Sequence, residues 1–178
     1  ILPSDWSSDV CSSDLPESQT SLLPQTWRWI MEIRKDIAYR FLLAEGFLKE
    51  AQEDLQLKRW RSCVSGAILC IENCGIAVLM LFGVARTTHH PEKHLSQLLA
   101  EGTVSEEVGD LIRQLLPVLE KHESQEKMLA KYGRESGYQS PWEIFSEEHA
   151  VRALEGAKNS LALCSKLRGL LEEPGACT

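Results

Sequence analysis

No stretch of the 178 residues alternates apolar and polar side chains as a half-buried strand would, and no segment repeats another. Also missing are a Gly-rich phosphate loop, a G-x-S-x-G nucleophile elbow, an H-E-x-x-H pair and a paired-cysteine zinc pattern. The usual signatures of P-loop enzymes, serine hydrolases and zinc proteins are therefore missing. A basic surplus is lacking too. Nineteen Lys and Arg stand against 26 Asp and Glu, a net charge of −7. A constitutive nucleic-acid binder normally carries a basic face, so that class is disfavoured, although a local basic pocket is compatible with the total. An acidic surface suits a partner that brings the positive charge. No secretory signal is read ahead of the six cysteines, and most of them fall inside apolar helical patterns. Reduced thiols in a cytoplasmic protein are the expectation, without a disulfide framework and without a cofactor.

A hydrophobic fraction of 43% and a charged fraction of 25% suit one globular domain large enough to bury its own core. Residues 4–15 are rich in Ser and Asp and have no period; they resemble the translation of a sequencing adapter, with a natural disordered tail as the other reading. Met31 opens a run that reads as helix. The expected organisation is a non-native or disordered leader over 1–30, a helical domain over 31–171 and a frayed tail over 172–178. The leader holds four acids and one base, which leaves −4 on the remainder.

The helical domain reads as an all-α, antiparallel bundle of about five helices. A first helix, from about Glu32 to Leu57, carries Ile33, Ile37, Phe41, Ala44, Leu48, Ala51 and Leu55 on one stripe. Leu42, Leu43 and Phe47 on its other face predict a second contact, and Gly46 offers a close crossing. The second helix, about Arg59 to Gly83, is apolar almost all round, with a polar stripe reduced to Arg61, Ser65 and Glu72, and Asn73 to one side. Its length would span a membrane, but an acid at its midpoint costs roughly 2.5–3.5 kcal/mol there, so a bundle core is the reading. Pro91 opens a short third helix that ends at Gly102. A fourth runs from Ser105 through Pro117, where a kink is expected, and carries its stripe on through His122 and Glu126 to Leu129. Tyr132 to Pro141 is a loop, pinned by Trp142, Ile144 and Phe145, and Ser146 caps a last helix with a small-residue stripe.

Glu72 is the residue that most needs a partner, since a buried carboxylate is costly unless paired or protonated. It is either a core acid paired with Arg40, Arg61 or Arg134, or an acid that positions a ligand or a partner's cation. His90 and His94, at i and i+4, could hold a metal, but cap and surface roles are the simpler reading. Cys63, Cys70 and Cys74 share a stripe with apolar residues and read as core; zinc binding with Cys164 is the alternative.

In their order, these features resemble the HEPN family. The first helix from Arg34-Lys35-Asp36 to Ala51 matches, as does the second, centred on Ile71-Glu72-Asn73. The turn His89-His90-Pro91, Tyr132-Gly133, Pro141-Trp142-Glu143 and the Ser146-Glu-Glu-His-Ala150 start follow in sequence. The resemblance covers about 140 residues. It implies a helical bundle, commonly a homodimer, that binds nucleotide or RNA and often works beside a minimal nucleotidyltransferase as a toxin–antitoxin pair. The family's ribonucleases use an Arg followed by a His after four to six residues; here Arg86 precedes His89, His90 and His94 by other intervals, and Arg113 precedes His122 by too many. The expectation is thus an interaction or nucleotide-binding protein with Glu72, Arg134 and Tyr138 as ligand or partner contacts and Arg86 as a further donor. The alternative is a metal-independent ribonuclease with a rearranged set of Arg86, His89 and His122.

Overall fold

The computed structural model describes residues 25–84, 88–122 and 125–172; the side chains of residues 25–31 and of His122 fall outside that description. The helices are α1 (Gln25–Gln56), α2 (Trp60–Leu81), α3 (Pro91–Glu101), α4 (Glu106–His122), α5 (Gln125–Tyr132), the single turn α6 (Pro141–Ile144) and α7 (Glu147–Glu172), with a 3-10 turn at Glu135–Gly137. Among the described residues no strand forms, and one isolated bridge joins Arg134 to Gln139.

The centre of the molecule is α2. It has the length and apolarity to cross a membrane, and here it packs chiefly against α1 and α7. Val64, Ile71, Val78 and Leu79 are fully buried, each such side chain contributing roughly 1.5–3 kcal/mol of transfer free energy. The α1 stripe turns inward as its spacing requires, with Ile37, Phe41, Ala44 and Ala51 buried. The second contact forms only in part: Phe47 packs on the core, whereas Leu42 stays 64% exposed. The close crossing also belongs to a different glycine. A methyl group at Gly66 would lie 3.3 Å from Ala51 Cβ and from the Phe47 carbonyl, while Gly46 meets nothing within 4 Å.

Two thiols fix the α2–α7 register. Cys63 Sγ donates to the Ala150 carbonyl at 3.7 Å and Cys70 Sγ to the Ala157 carbonyl at 3.8 Å. Both pairs are 87 residues apart and step seven residues along each helix, so α2 and α7 run parallel, joined by the long crossover through α3–α6. The antiparallel arrangement holds for α1 against both of them: Arg40 bonds Asn73 of α2, and Arg168 of α7 lies over the Phe41 ring.

Two helix boundaries and one aromatic contact differ from the periodicity reading. α1 starts at Gln25, seven residues ahead of Glu32 and inside the segment read as leader; once a helix is nucleated, each added residue gains a hydrogen bond. The fourth helix continues through Pro117 to His122, and a separate helix, α5, carries Glu126 and Leu129; the side chain of His122 lies outside the described residues. Trp142 does not pin the loop. It is 74% exposed, and the buried Phe145 anchors that segment instead.

Candidate functional site

Gly75, in the last third of α2, lets the start of α3 rest directly on the helix. A methyl group there would lie 2.7 Å from Pro91 Cγ and 2.9 Å from Leu119 Cδ2. Pro91 occupies the first turn of α3, where its missing N–H costs nothing. This approach brings the His89-His90 turn beside Glu72, one helical turn from Gly75. His89 Nδ1 lies 2.6 Å from Glu72 Oε1, and Lys127 Nζ of α5 donates to Glu72 Oε2 at 2.5 Å.

Glu72 therefore has two partners, and neither is an arginine. The reading that paired it with Arg40, Arg61 or Arg134 is corrected as follows. Arg40 donates to Asn73 Oδ1 at 3.0 Å, Arg61 Nε to the Ala130 carbonyl at 2.7 Å and Arg134 Nη1 to Gln139 Oε1 at 2.9 Å. Each guanidinium is used to tie one segment to another. The Glu72 carboxylate is only 13% exposed, so a partner is obligatory, and the shorter lysine on α5 is the one within reach.

Beside this clamp lies a cleft of about 20 Å³, lined by Ile68, Ile71, Glu72, His89, Pro91, Glu92 and Leu119. It has room for about one water-sized group and none for a nucleotide. Glu92, unremarked in the sequence reading, is 4% exposed on its wall.

Of the rearranged ribonuclease set, the His89 side chain alone is described; Arg86 and the His122 side chain lie outside the described residues. Glu72 and Arg134 line different hollows. Tyr138 takes a left-handed backbone conformation, φ 51°, at the end of the 3-10 turn and is 97% exposed. Arg134 lines a separate open hollow with Met128 and Tyr132. His90 caps α3 with its Nδ1 3.6 Å from Glu92 Oε1, and among the described residues no group of three or more His, Cys, Asp or Glu gathers as metal ligands. The four described cysteines are buried free thiols. Burial pushes the Cys63 thiol up to about 11, with Asp54 adding to the effect. The neighbouring Cys74 thiol and then burial raise Cys70, and the neighbouring Cys164 thiol and burial raise Cys74. Thiols held in the neutral form make poor nucleophiles and poor metal ligands.

A second site lies at the other end of α2, about twelve residues and roughly 18 Å from Glu72. Lys58, Arg59, Trp60, Arg61, Ser62, Trp142 and Phe145 line a hollow of about 420 Å³. Lys58 holds φ 56° to turn the chain out of α1, and Arg59 caps α2 with no side-chain bond to its amides. Arg59 is 64% exposed beside Asp54 at 3.6 Å. The hollow thus combines three cationic side chains and two indoles on an acidic chain. The contiguous Lys58-Arg59-Trp60-Arg61 is legible in the sequence as a basic–aromatic run across the start of the second helix, and Trp142 joins it through the fold.

The model of the HEPN domain matches residues 38–167. The chain belongs to the HEPN domain family, an all-α family tied to nucleotides and RNA. No curated protein matches it significantly over its length.

Proposed function

We propose that this HEPN protein is an interaction and nucleotide-binding module, a cytoplasmic homodimer working beside a minimal nucleotidyltransferase in a toxin–antitoxin-like pair, without standard ribonuclease catalysis. The observation that supports the binding half is the Lys58–Arg61 hollow. Its volume suits a small-molecule ligand, its cations suit phosphate oxygens, and its indoles offer stacking faces to a base. The absence of an Arg and His at the ribonuclease interval supports the non-catalytic half. The Glu72 clamp fits the same reading, since its acid is tied by Lys127 and His89 in a cleft too small for a nucleotide.

The test is fluorescence anisotropy with labelled ATP and a short single-stranded RNA, alongside an RNA cleavage assay. A charge-assisted hydrogen bond is worth about 1.5–3 kcal/mol, so Lys58→Glu with Arg59→Glu is expected to weaken binding at least about tenfold. Unchanged binding in that variant removes the hollow from the argument. Robust RNA cleavage lost on a single substitution at His89 or His122 replaces the reading with the ribonuclease. Light scattering checks the dimer. A neighbouring reading frame for a small nucleotidyltransferase that co-purifies with the chain checks the partner.

A further inference from the structure

The outer side of α1 carries a second pattern, opposite the buried stripe from Ile37 to Ala51 that packs on α2. Lys35, Tyr39, Leu42, Gly46, Lys49 and Glu53 recur at alternating steps of four and three, and all six are exposed. A repeat averaging 3.5 residues is the seam along which two helices coil round each other. Its centre is apolar and uncovered: Tyr39 is 55% exposed and Leu42 64%, and a methyl group on Gly46 would meet nothing within 4 Å. Glycine is a poor residue for a helix interior, and the close crossing inside the chain is served by Gly66. Among the described residues, Lys35, Lys49 and Glu53 form no ion pair within the chain.

We propose that this seam pairs antiparallel with the α1 seam of a second copy, about a two-fold axis midway between Leu42 and Gly46. The order of charges selects that occupant. A lysine opens the stripe and a glutamate closes it, so reversing one copy sets Lys35 against Glu53 of the other on both sides of the axis. The next layer sets Tyr39 against Lys49 of the other copy, an ammonium at a phenol face. At the middle, Leu42 enters the notch left by Gly46 of the other copy, once on each side. No layer opposes like charges, whereas a parallel pair would set Lys35, Lys49 and Glu53 each against itself. An apolar centre with polar ends is the anatomy of an interface between separately folded chains. The inference rests on the homodimer of the proposed function and names the face that forms it. It puts the two Lys58–Arg61 hollows at opposite ends of the pair, roughly 40 Å apart along the helix axis. In dilute solution, where the copies separate, a methyl group at position 46 stays in solvent.

The test is sedimentation velocity of the full chain across the micromolar range at low salt, with circular dichroism as the check on folding. Wild type is expected to dimerise reversibly. Leu42→Glu sets a carboxylate at each side of the centre and should weaken the dimer at least about tenfold, as loss of a central contact does. Lys35→Glu should weaken it by meeting Glu53 with a like charge. Lys35→Glu combined with Glu53→Lys should restore it, because the swap rebuilds the same two pairs. Met128→Glu, on the exposed side of α5, should leave association unchanged. A dimer that Leu42→Glu leaves intact, or that Met128→Glu breaks instead, overturns the α1 face while the homodimer stands. A charge swap that fails to restore association overturns the antiparallel register. A wild-type chain that stays single throughout overturns both the face and the homodimer. Nucleotide binding read by anisotropy should survive Leu42→Glu, so the interface and the binding hollow fail separately.

Discussion

Two glycines on neighbouring helices carry opposite consequences, and their comparison tests how α3 is seated. Replacing Gly by Ala inside a helix gains about 0.5–1 kcal/mol from backbone entropy. At Gly46 nothing lies within 4 Å of the new methyl group, so Gly46→Ala should show that gain undiluted. At Gly75 the same methyl group meets Pro91 Cγ at 2.7 Å, Pro91 Cβ at 2.9 Å and Leu119 Cδ2 at 2.9 Å. A proline ring cannot rotate away, so the backbone must move, and overpacking of this kind costs about 1–3 kcal/mol. The helix term is common to both variants and cancels in their difference. Gly75→Ala should therefore be less stable than Gly46→Ala by about 1–3 kcal/mol. For a chain of this size that separates their melting temperatures by roughly 2–12 °C. Urea unfolding followed by far-UV circular dichroism, with m-values compared, reads the difference. Because Pro91 carries the histidine turn, Gly75→Ala should also weaken contact of His89 with Glu72, seen as a change in the His89 imidazole NMR signals. If both alanines stabilise equally, α3 does not rest on Gly75, and the geometry given for the clamp is wrong.

Lys127→Met leaves the Glu72 carboxylate, 13% exposed, with His89 alone. Lys127 itself is 36% exposed, so solvent screening discounts the loss below that of a fully buried pair, to about 1–2 kcal/mol. Glu72→Gln in the same background should recover part of it in a double-mutant cycle, and additive losses would refute the pairing. Cys63 ionises near 9 when unfolded and about 11 when folded. Its folded value is raised, so its contribution is intact below pH 9 and falls as pH climbs from 9 to 11, by about 1.4 kcal/mol per unit. Stability measured across that window should drop, and Cys63, Cys70, Cys74 and Cys164 should resist iodoacetamide until denaturant is added; rapid native labelling at any of these four, read by peptide mapping, would contradict their burial.

The architecture was legible because the acid in the middle of α2 argues against the membrane reading and for a bundle core. A segment apolar on nearly every face, with Glu72 and Asn73 at its middle, must be wrapped by amphipathic neighbours, and the α1 stripe from Ile37 to Ala51 supplies one. Helix caps were legible for local reasons. Gly102 takes the left-handed position that ends α3. Ser146 sits ahead of α7, where His149 Nδ1 accepts the Ser146 N–H at 3.2 Å in the place a glutamate normally fills. The site was only half legible. A buried acid announces that it needs a partner, but which cation reaches it depends on the relative placement of α2 and α5, 55 residues apart. Nothing in the sequence singles out Glu92, and its burial depends on how Pro91 rests against Gly75. Parallel packing of α2 and α7 was hidden for the same reason: stripe periodicity says which face is inward and nothing about direction.

The 87-residue offset between the thiols of α2 and their acceptors in α7 also has a consequence during synthesis. At roughly 5–20 residues per second, the greasy flank of α2 leaves the ribosome several seconds before Ala150 and Ala157 exist to cover it. Throughout that interval α1 is there to shelter one side and the other stays uncovered. A chain cut ahead of α7 is expected to leave that flank bare and to aggregate rather than form a smaller working domain.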